Sequence, residues 1–401
     1  MSSAPALPND PPWWRTAALG RVGRGLGRAA LFFVAFAAAG RFIACPLAGR
    51  EGSRWFAGEP ALGRAAASGV AAWLARQPRP DQYTTGSARF DGEWLFGTYM
   101  MAGMGFGQLV LAHPEERARL LPELDRVLET LASPAAQRFD GDAWHELPLA
   151  TLEGDRGHAA FLGYLGMVLG LHRLLEPSSR FAPLHDRLVA ALERRLDATP
   201  SLLIETYPGE IYPVDNASVI ATLALHARAT GRPRPALVNR WVERARARFV
   251  EPRSGLLHQA WNGATDLPAD APRGSGTALA AYFLAYADVP LSRALSAAVE
   301  RSLARPILGF GLVQEYPCGW SGSGDIDSGP LVLGYSISAS GFALAGRRMY
   351  GDAGSFSRLY STFHLLGAPL ETGEGRTFVS GGPLADAIML AMLTAPRGGA
   401  L

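Results

Sequence analysis

The sequence predicts an all-α fold: a six-helical-hairpin toroid, the (α/α)6 barrel, preceded by an N-terminal apolar helix. Three observations predict it. Strand-like alternation is scarce beyond about residue 60, the helices are of two alternating kinds, and their spacing is nearly regular.

Taken in order, residues 1–50 form a basic and apolar leader, and residues 51–401 form the barrel domain. Arg15, Arg21, Arg24 and Arg28 precede the apolar run from Ala29 to Gly40, which resumes after Arg41 as Phe-Ile-Ala-Cys-Pro-Leu. Basic then apolar is the order of an export signal or a membrane anchor, and it predicts a cytoplasmic N-terminus with the main domain outside, periplasmic in a Gram-negative cell. A helix of the soluble fold is the alternative.

Beyond the leader, one kind of helix is rich in Ala, Gly and Leu and nearly uncharged. These helices cover about 94–112, 157–175, 215–229, 276–287, 331–346 and 384–394. A helix apolar on nearly all sides belongs inside. The other kind carries Arg and Glu on one face and belongs outside: about 61–76, 115–132, 181–197, 235–249, 291–304 and 354–366. The inner helices start about 53 to 63 residues apart, as repeated stacking of one unit requires. Closure into a ring suits their low charge, since an open array would wet one face of them. Leu256 to Trp261 reads as one arm of a small hairpin.

Inner helices of a ring run in one direction, so their N-terminal ends share one mouth. The loops that lead into them carry unusual chemistry: Phe90-Asp-Gly-Glu-Trp94, Asp155-Arg-Gly-His158, Glu205 to Asn216, Arg273-Gly-Ser-Gly276, Glu315 to Pro330 and Thr377 to Pro383. The third holds Glu205, Glu210 and Asp215 with Tyr207 and Tyr212, while Pro208, Gly209 and Pro213 exclude a continuous helix. Asp215 there is a natural N-cap for the apolar helix behind it. Of Asp325 and Asp327, the second reads as an N-cap, which frees Asp325 to face a cavity. His158 is either a general acid or base or a histidine merely hydrogen-bonded at a helix start. Trp94, Trp144, Trp261 and Trp320 are either stacking walls or core.

Composition removes other classes. All 38 basic residues are arginine, which excludes chemistry that needs a lysine amine. A formal net charge of +2 gives no field that calls for nucleic acid. Cys45 and Cys318 form no CxxC pair, no HExxH is present, and a disulfide between the two is not expected. No cofactor and no metal are expected.

Three segments resemble the linalool dehydratase/isomerase family. Gly157-His-Ala-Ala-Phe-Leu-Gly-Tyr-Leu-Gly is similar to its Gly-His helix start, and Tyr207 to Asn216 to its Pro-containing loop. Gly324-Asp-Ile-Asp-Ser-Gly-Pro, with the helix ending Arg348-Met-Tyr-Gly-Asp352, is similar to its aspartate-glycine turn. The likeness runs from about 90 to 395. It implies an (α/α)6 barrel acting outside the cytoplasm. The family's two cysteines fall near Thr206 or Glu205 and on Asp215, and a family tyrosine falls on Gly276. The family histidine is matched by His158, and Tyr99 stands near another family tyrosine. A thiol acid/base set is thereby replaced by carboxylates.

The expected function is acid/base chemistry, a hydro-lyase or isomerase, on a hydroxylated substrate such as an alcohol. His158, Glu205, Asp215 and Asp325 are the expected catalytic groups. Trp94, Tyr99, Tyr207, Glu210, Tyr212, Trp320 and Asp327 are expected to bind substrate. The alternatives are a glycoside hydrolase or polysaccharide lyase acting on a sugar, and a non-catalytic membrane-anchored sensor or scaffold. Homo-oligomerisation stays open.

Overall fold

The computed structural model describes residues 29–398. The basic flank at Arg15, Arg21, Arg24 and Arg28 lies outside the described residues.

The inner ring consists of α3 (Ala88–Ala112), α6 (Ala159–Leu175), α8 (Pro213–Ala229), α10 (Gly274–Leu284), α12 (Ile337–Tyr350) and α14 (Gly382–Leu393). Each packs on the next, and α14 packs back on α3, so the ring is closed. The outer layer is α2 (Pro60–Ala75), α4 (Arg117–Leu131), α7 (Ala182–Asp197), α9 (Ala236–Arg244), α11 (Val289–Leu303) and α13 (Ala353–Gly367). The protein is an all-α barrel, as the alternation of uncharged and charge-striped helices predicts. Residues 88–112 are apolar and long enough to cross a membrane, but they are mostly buried inside the ring.

Small residues let the inner helices approach closely. A Cβ on Gly163 of α6 would stand 2.1 Å from the Ser218 hydroxyl of α8, and one on Gly166 would stand 2.3 Å from Thr222. The space those glycines leave draws α6 and α8 into the tightest contact of the ring.

The structure differs from expectation at several ends. The first inner helix starts at Ala88 rather than near 94, and the fifth at Ile337 rather than near 331. An additional helix, α5 (Pro134–Trp144), sits beside α3 where no helix was expected. Its N-cap is Ser133, whose hydroxyl accepts from the Ala136 amide. The hairpin near residue 261 is present as β1 (Trp261–Asn262) and β2 (Leu267–Pro268). A second, β3 (Pro369–Thr372) with β4 (Gly375–Phe378), leads into α14.

The apolar leader continues as one helix, α1 (Ala29–Ala57), straight through the boundary expected at residue 50. Its second half packs on α13, with Cys45, Ala48, Gly52 and Trp55 buried. Its first half does not pack: Leu31, Phe32, Phe33, Val34 and Phe36 are each more than 60% exposed. By length and composition α1 is able to cross a membrane. Cys45 and Cys318 are both free thiols.

Candidate active site

The N-terminal halves of all six inner helices line one cavity of about 990 Å³. The shared mouth is therefore real, and it gathers residues from loops far apart in sequence. One wall is apolar, with Met100, Phe342, Phe363, Leu384, Ile388 and Met389. Glu93, Asp215, Asp325 and Asp327 supply carboxylates to the same cavity, and Tyr164, Tyr207 and Tyr212 supply phenols.

Asp215 is held most tightly. It does not cap α8, because the helix already begins at Pro213 with Tyr212 as its N-cap, which correct the expected boundary. Proline suits that first position, since its missing N–H would go unpaired there anyway. Asp215 therefore lies within the first turn, and its side chain turns inward. It accepts from the Tyr164 hydroxyl at 2.6 Å and from the Thr206 hydroxyl at 2.6 Å. Burial pushes its carboxyl above the usual range, while the two hydroxyls favour the ionised form. Neighbouring Asn216 pins the loop instead, exchanging hydrogen bonds with the Ile204 backbone.

Glu93 stands one turn into α3 and accepts from the Tyr207 hydroxyl at 2.9 Å. Burial first, then the charge on Asp327, raises its carboxyl to about 8. Asp327 is raised to about 7 by desolvation, then by the charges of Asp325 and Asp215. Asp327 nevertheless keeps an open surface toward the cavity, where water screens it, so the more enclosed Glu93 is the stronger candidate for a proton donor at neutral pH.

The two aspartates of the 325–327 turn exchange their expected roles. Asp327 caps nothing, since α12 begins ten residues later with Ser336 as its N-cap. Instead Asp325 closes the turn, accepting from the amides of Asp327 and Ser328, and it pairs with Arg273. Burial opposes ionisation there, but the Ser328 amide and Arg273 hold its carboxyl below the usual range. Arg273 also binds Asp270 at 2.5 Å, so its charge is spoken for from both sides. Asp325 lines the cavity but is a salt-bridged anchor rather than a free acid. Asp327, with Gln259 donating to it at 3.0 Å, faces the cavity.

Four expected site residues do not reach the cavity. His158 is fully buried behind it. Its ring bonds Asp140 of α5 at 2.5 Å and Glu146 at 3.3 Å, and it packs on Trp144. Glu205 turns away; its backbone carbonyl accepts from the Ala159 amide that begins α6. Successive side chains of an extended segment point to opposite sides, and here Thr206 takes the inward one. Tyr99 is buried in the core, and Trp320 is 45% exposed on a loop outside the lining. Trp94, Tyr207, Glu210 and Tyr212 do line the cavity, with Tyr212 donating to Glu210 at 2.7 Å near the rim. Trp144 and Trp261 are core residues.

His158 still bears on the site at one remove. The Trp144 indole it packs on donates to the Thr206 carbonyl at 3.0 Å, and the Thr206 hydroxyl donates to Asp215. Gly157 beside it is equally constrained: a Cβ there would lie 2.0 Å from the Glu205 carbonyl oxygen. Gly157→Ala is expected to lower stability by roughly 1–3 kcal/mol in chemical denaturation, because the clash is with backbone that cannot rotate away.

Glu93, Tyr164, Gln259 and Arg273 are site residues that the sequence does not single out, and Thr206 is pointed to only as a position near which the resemblance places a family cysteine. Glu93 sits inside the Asp-Gly-Glu-Trp leader, and Arg273 opens the leader of α10, so position at a leader was the available signal. Tyr164 had no such signal, being the sixth residue of an apolar helix.

No protein-family model matches the chain. No curated protein matches it. Among solved structures, a polysaccharide lyase is similar over 82% of this chain and 99% of its own, at 12% identity and a TM-score of 0.37. A likeness that distant carries no argument about the reaction.

Proposed function

We propose that the protein is an acid/base enzyme, a hydro-lyase or isomerase of the linalool dehydratase/isomerase kind, acting outside the cytoplasm on an alcohol with a largely apolar body. The observation that supports it is the pairing, in one apolar cavity, of a carboxyl held protonated at neutral pH, Glu93, with a hydroxyl-bonded carboxylate, Asp215.

The chemistry balances with these two groups. The Glu93 carboxyl gives its proton to the substrate hydroxyl, the C–O bond breaks, and its electron pair leaves with water. Asp215 takes a proton from the adjacent carbon, and the C–H electron pair becomes the new double bond. Isomerisation of an allylic alcohol is the other branch: before that proton is lost, the water adds to the far carbon of the allylic cation and gives its extra proton back to the Glu93 carboxylate. Tyr164 and Thr206 hold Asp215 in place, and burial raises the Tyr164 phenol well above its ordinary range, so it stays a donor. Proton transfer of this kind contributes roughly 10²–10⁴-fold in rate.

The apolar wall favours an alcohol over a sugar, whose many hydroxyls would go unpaired against Met100, Phe342 and Leu384. An open chamber of this volume also disfavours a mere scaffold, whose centre would be filled. The test is a panel of terpene-like alcohols and of oligosaccharides incubated with the purified protein, read by mass spectrometry for loss or gain of water. Dehydration of an apolar alcohol supports the reading. Cleavage of oligosaccharides alone, or no reaction with any alcohol, sinks it.

A further inference from the structure

The exposed apolar surface of this protein is gathered on one face. The second half of α1 runs antiparallel to α13: Cys45 accepts from the Ser361 hydroxyl at 3.2 Å, and the Ser53 and Ser357 hydroxyls lie 3.2 Å apart. The C-terminal end of α13 lies at the cavity, where Phe363 is part of the lining. The part of α1 that precedes Cys45 therefore projects from the face that carries the mouth.

That projection leaves no spacer. The hydrocarbon core of a bilayer takes about 20 apolar residues. Counted from Ala29, they reach Ala48, yet Cys45 and Ala48 are already buried against the barrel. A helix inserted to that depth holds the barrel directly on the membrane surface. Arg41 is the one charge in the stretch. It lies about 10 Å along the helix from Ala48, within reach of the headgroups for a long side chain that can snorkel.

The barrel's own surface agrees. Leu308, Val332, Leu333, Leu365, Leu366 and Val379 are each at least 45% exposed. Leu308, Val332, Leu333 and Val379 lie in the segments between an outer helix and the next inner one, and Leu365 and Leu366 in the last turn of α13, which leads into such a segment, so all six are at the mouth end of the barrel. Apolar side chains concentrated on one face mark a contact surface. Their continuity with α1 assigns that surface to lipid.

We propose that the barrel sits with its cavity mouth against a lipid bilayer, so that an apolar alcohol reaches Glu93 and Asp215 from the membrane rather than from water. The substrate half of this inference rests on the function proposed above; the seating does not.

The experiment uses the full chain in vesicles of phosphatidylcholine with phosphatidylglycerol. In a Cys318→Ser background, a fluorophore is placed at Leu366→Cys on the mouth face, or at Ala353→Cys at the opposite end of α13. Brominated lipid is expected to quench the first and not the second. Equal quenching, no quenching at Leu366→Cys, or cross-linking of that position to a second copy overturns the seating. The second arm compares a long-chain alcohol with a water-soluble short one, using Leu366→Glu with Val379→Glu. Turnover of the long alcohol in vesicles is expected to fall about tenfold or more, with the short one unchanged. Equal loss for both overturns delivery from the membrane. Absence of turnover by the unmodified protein sinks the function instead and leaves the quenching result to decide the seating.

Discussion

Glu93→Gln is expected to lower turnover of an apolar alcohol by roughly 10²–10⁴-fold while the protein stays folded, because the amide fills the same space but cannot give up a proton. Asp215→Asn is expected to do the same, by removing the group that accepts one. In the unmodified protein, kcat/KM should fall as pH rises through about 8, where Glu93 loses its proton. Steady-state rates across pH, with circular dichroism on each variant, check both points. Unimpaired turnover by Glu93→Gln removes Glu93 from the mechanism. The same group predicts a stability trend of definite sign. Its carboxyl is raised on folding, so the folded state holds more protons than the unfolded one between the ordinary value near 4.5 and about 8. Stability is therefore fully supported by this group below the ordinary value and declines as pH rises through about 8. Glu93→Gln, which cannot ionise, should raise Tm more at alkaline than at acid pH.

His158→Ala is expected to cost roughly 3–5 kcal/mol of stability, a large share of what holds a domain together. The alanine leaves Asp140, itself almost wholly buried, without its partner at 2.5 Å. Burial already pushes that carboxyl up, against the hydrogen bond from His158. The variant should unfold at lower denaturant, and its loss of activity should follow its loss of folded protein. His158→Asn can still donate toward Asp140 and should recover part of the stability. If that variant folds fully yet loses turnover a thousandfold, the role of His158 is not stability alone, and it acts on the reaction through Trp144, Thr206 and Asp215.

How far the site was legible depends on how far each residue's direction depends on local chain geometry. Tyr207 and Asp327 were within reach because they lie in loops whose Gly and Pro content marks them as leaders into apolar helices, and Asp215 because it follows such a loop directly, in the first turn of α8. Glu205 was as acidic and as well placed in sequence, but one residue's step along an extended loop turned Thr206 inward and Glu205 outward. Asp325 and Asp327 are two apart in a turn, and only the position of Arg273, some fifty residues earlier, decided which of them closes a salt bridge. His158 was drawn into the interior by Asp140, from a helix that the hydrophobic pattern did not announce.

The sequence by itself determined the architecture. Six uncharged helices alternating with six charge-striped ones leave burial of the first set inside the second as the arrangement that wets the fewest apolar faces. It also determined that the protein carries a long apolar helix ahead of the barrel. Only the tertiary structure decided which acids share the cavity and which way α1 leaves the domain, because the facing partner of each side chain comes from a helix one or more repeats away. Close packing then fixes that partner to a fraction of an ångström, a precision that no local pattern contains.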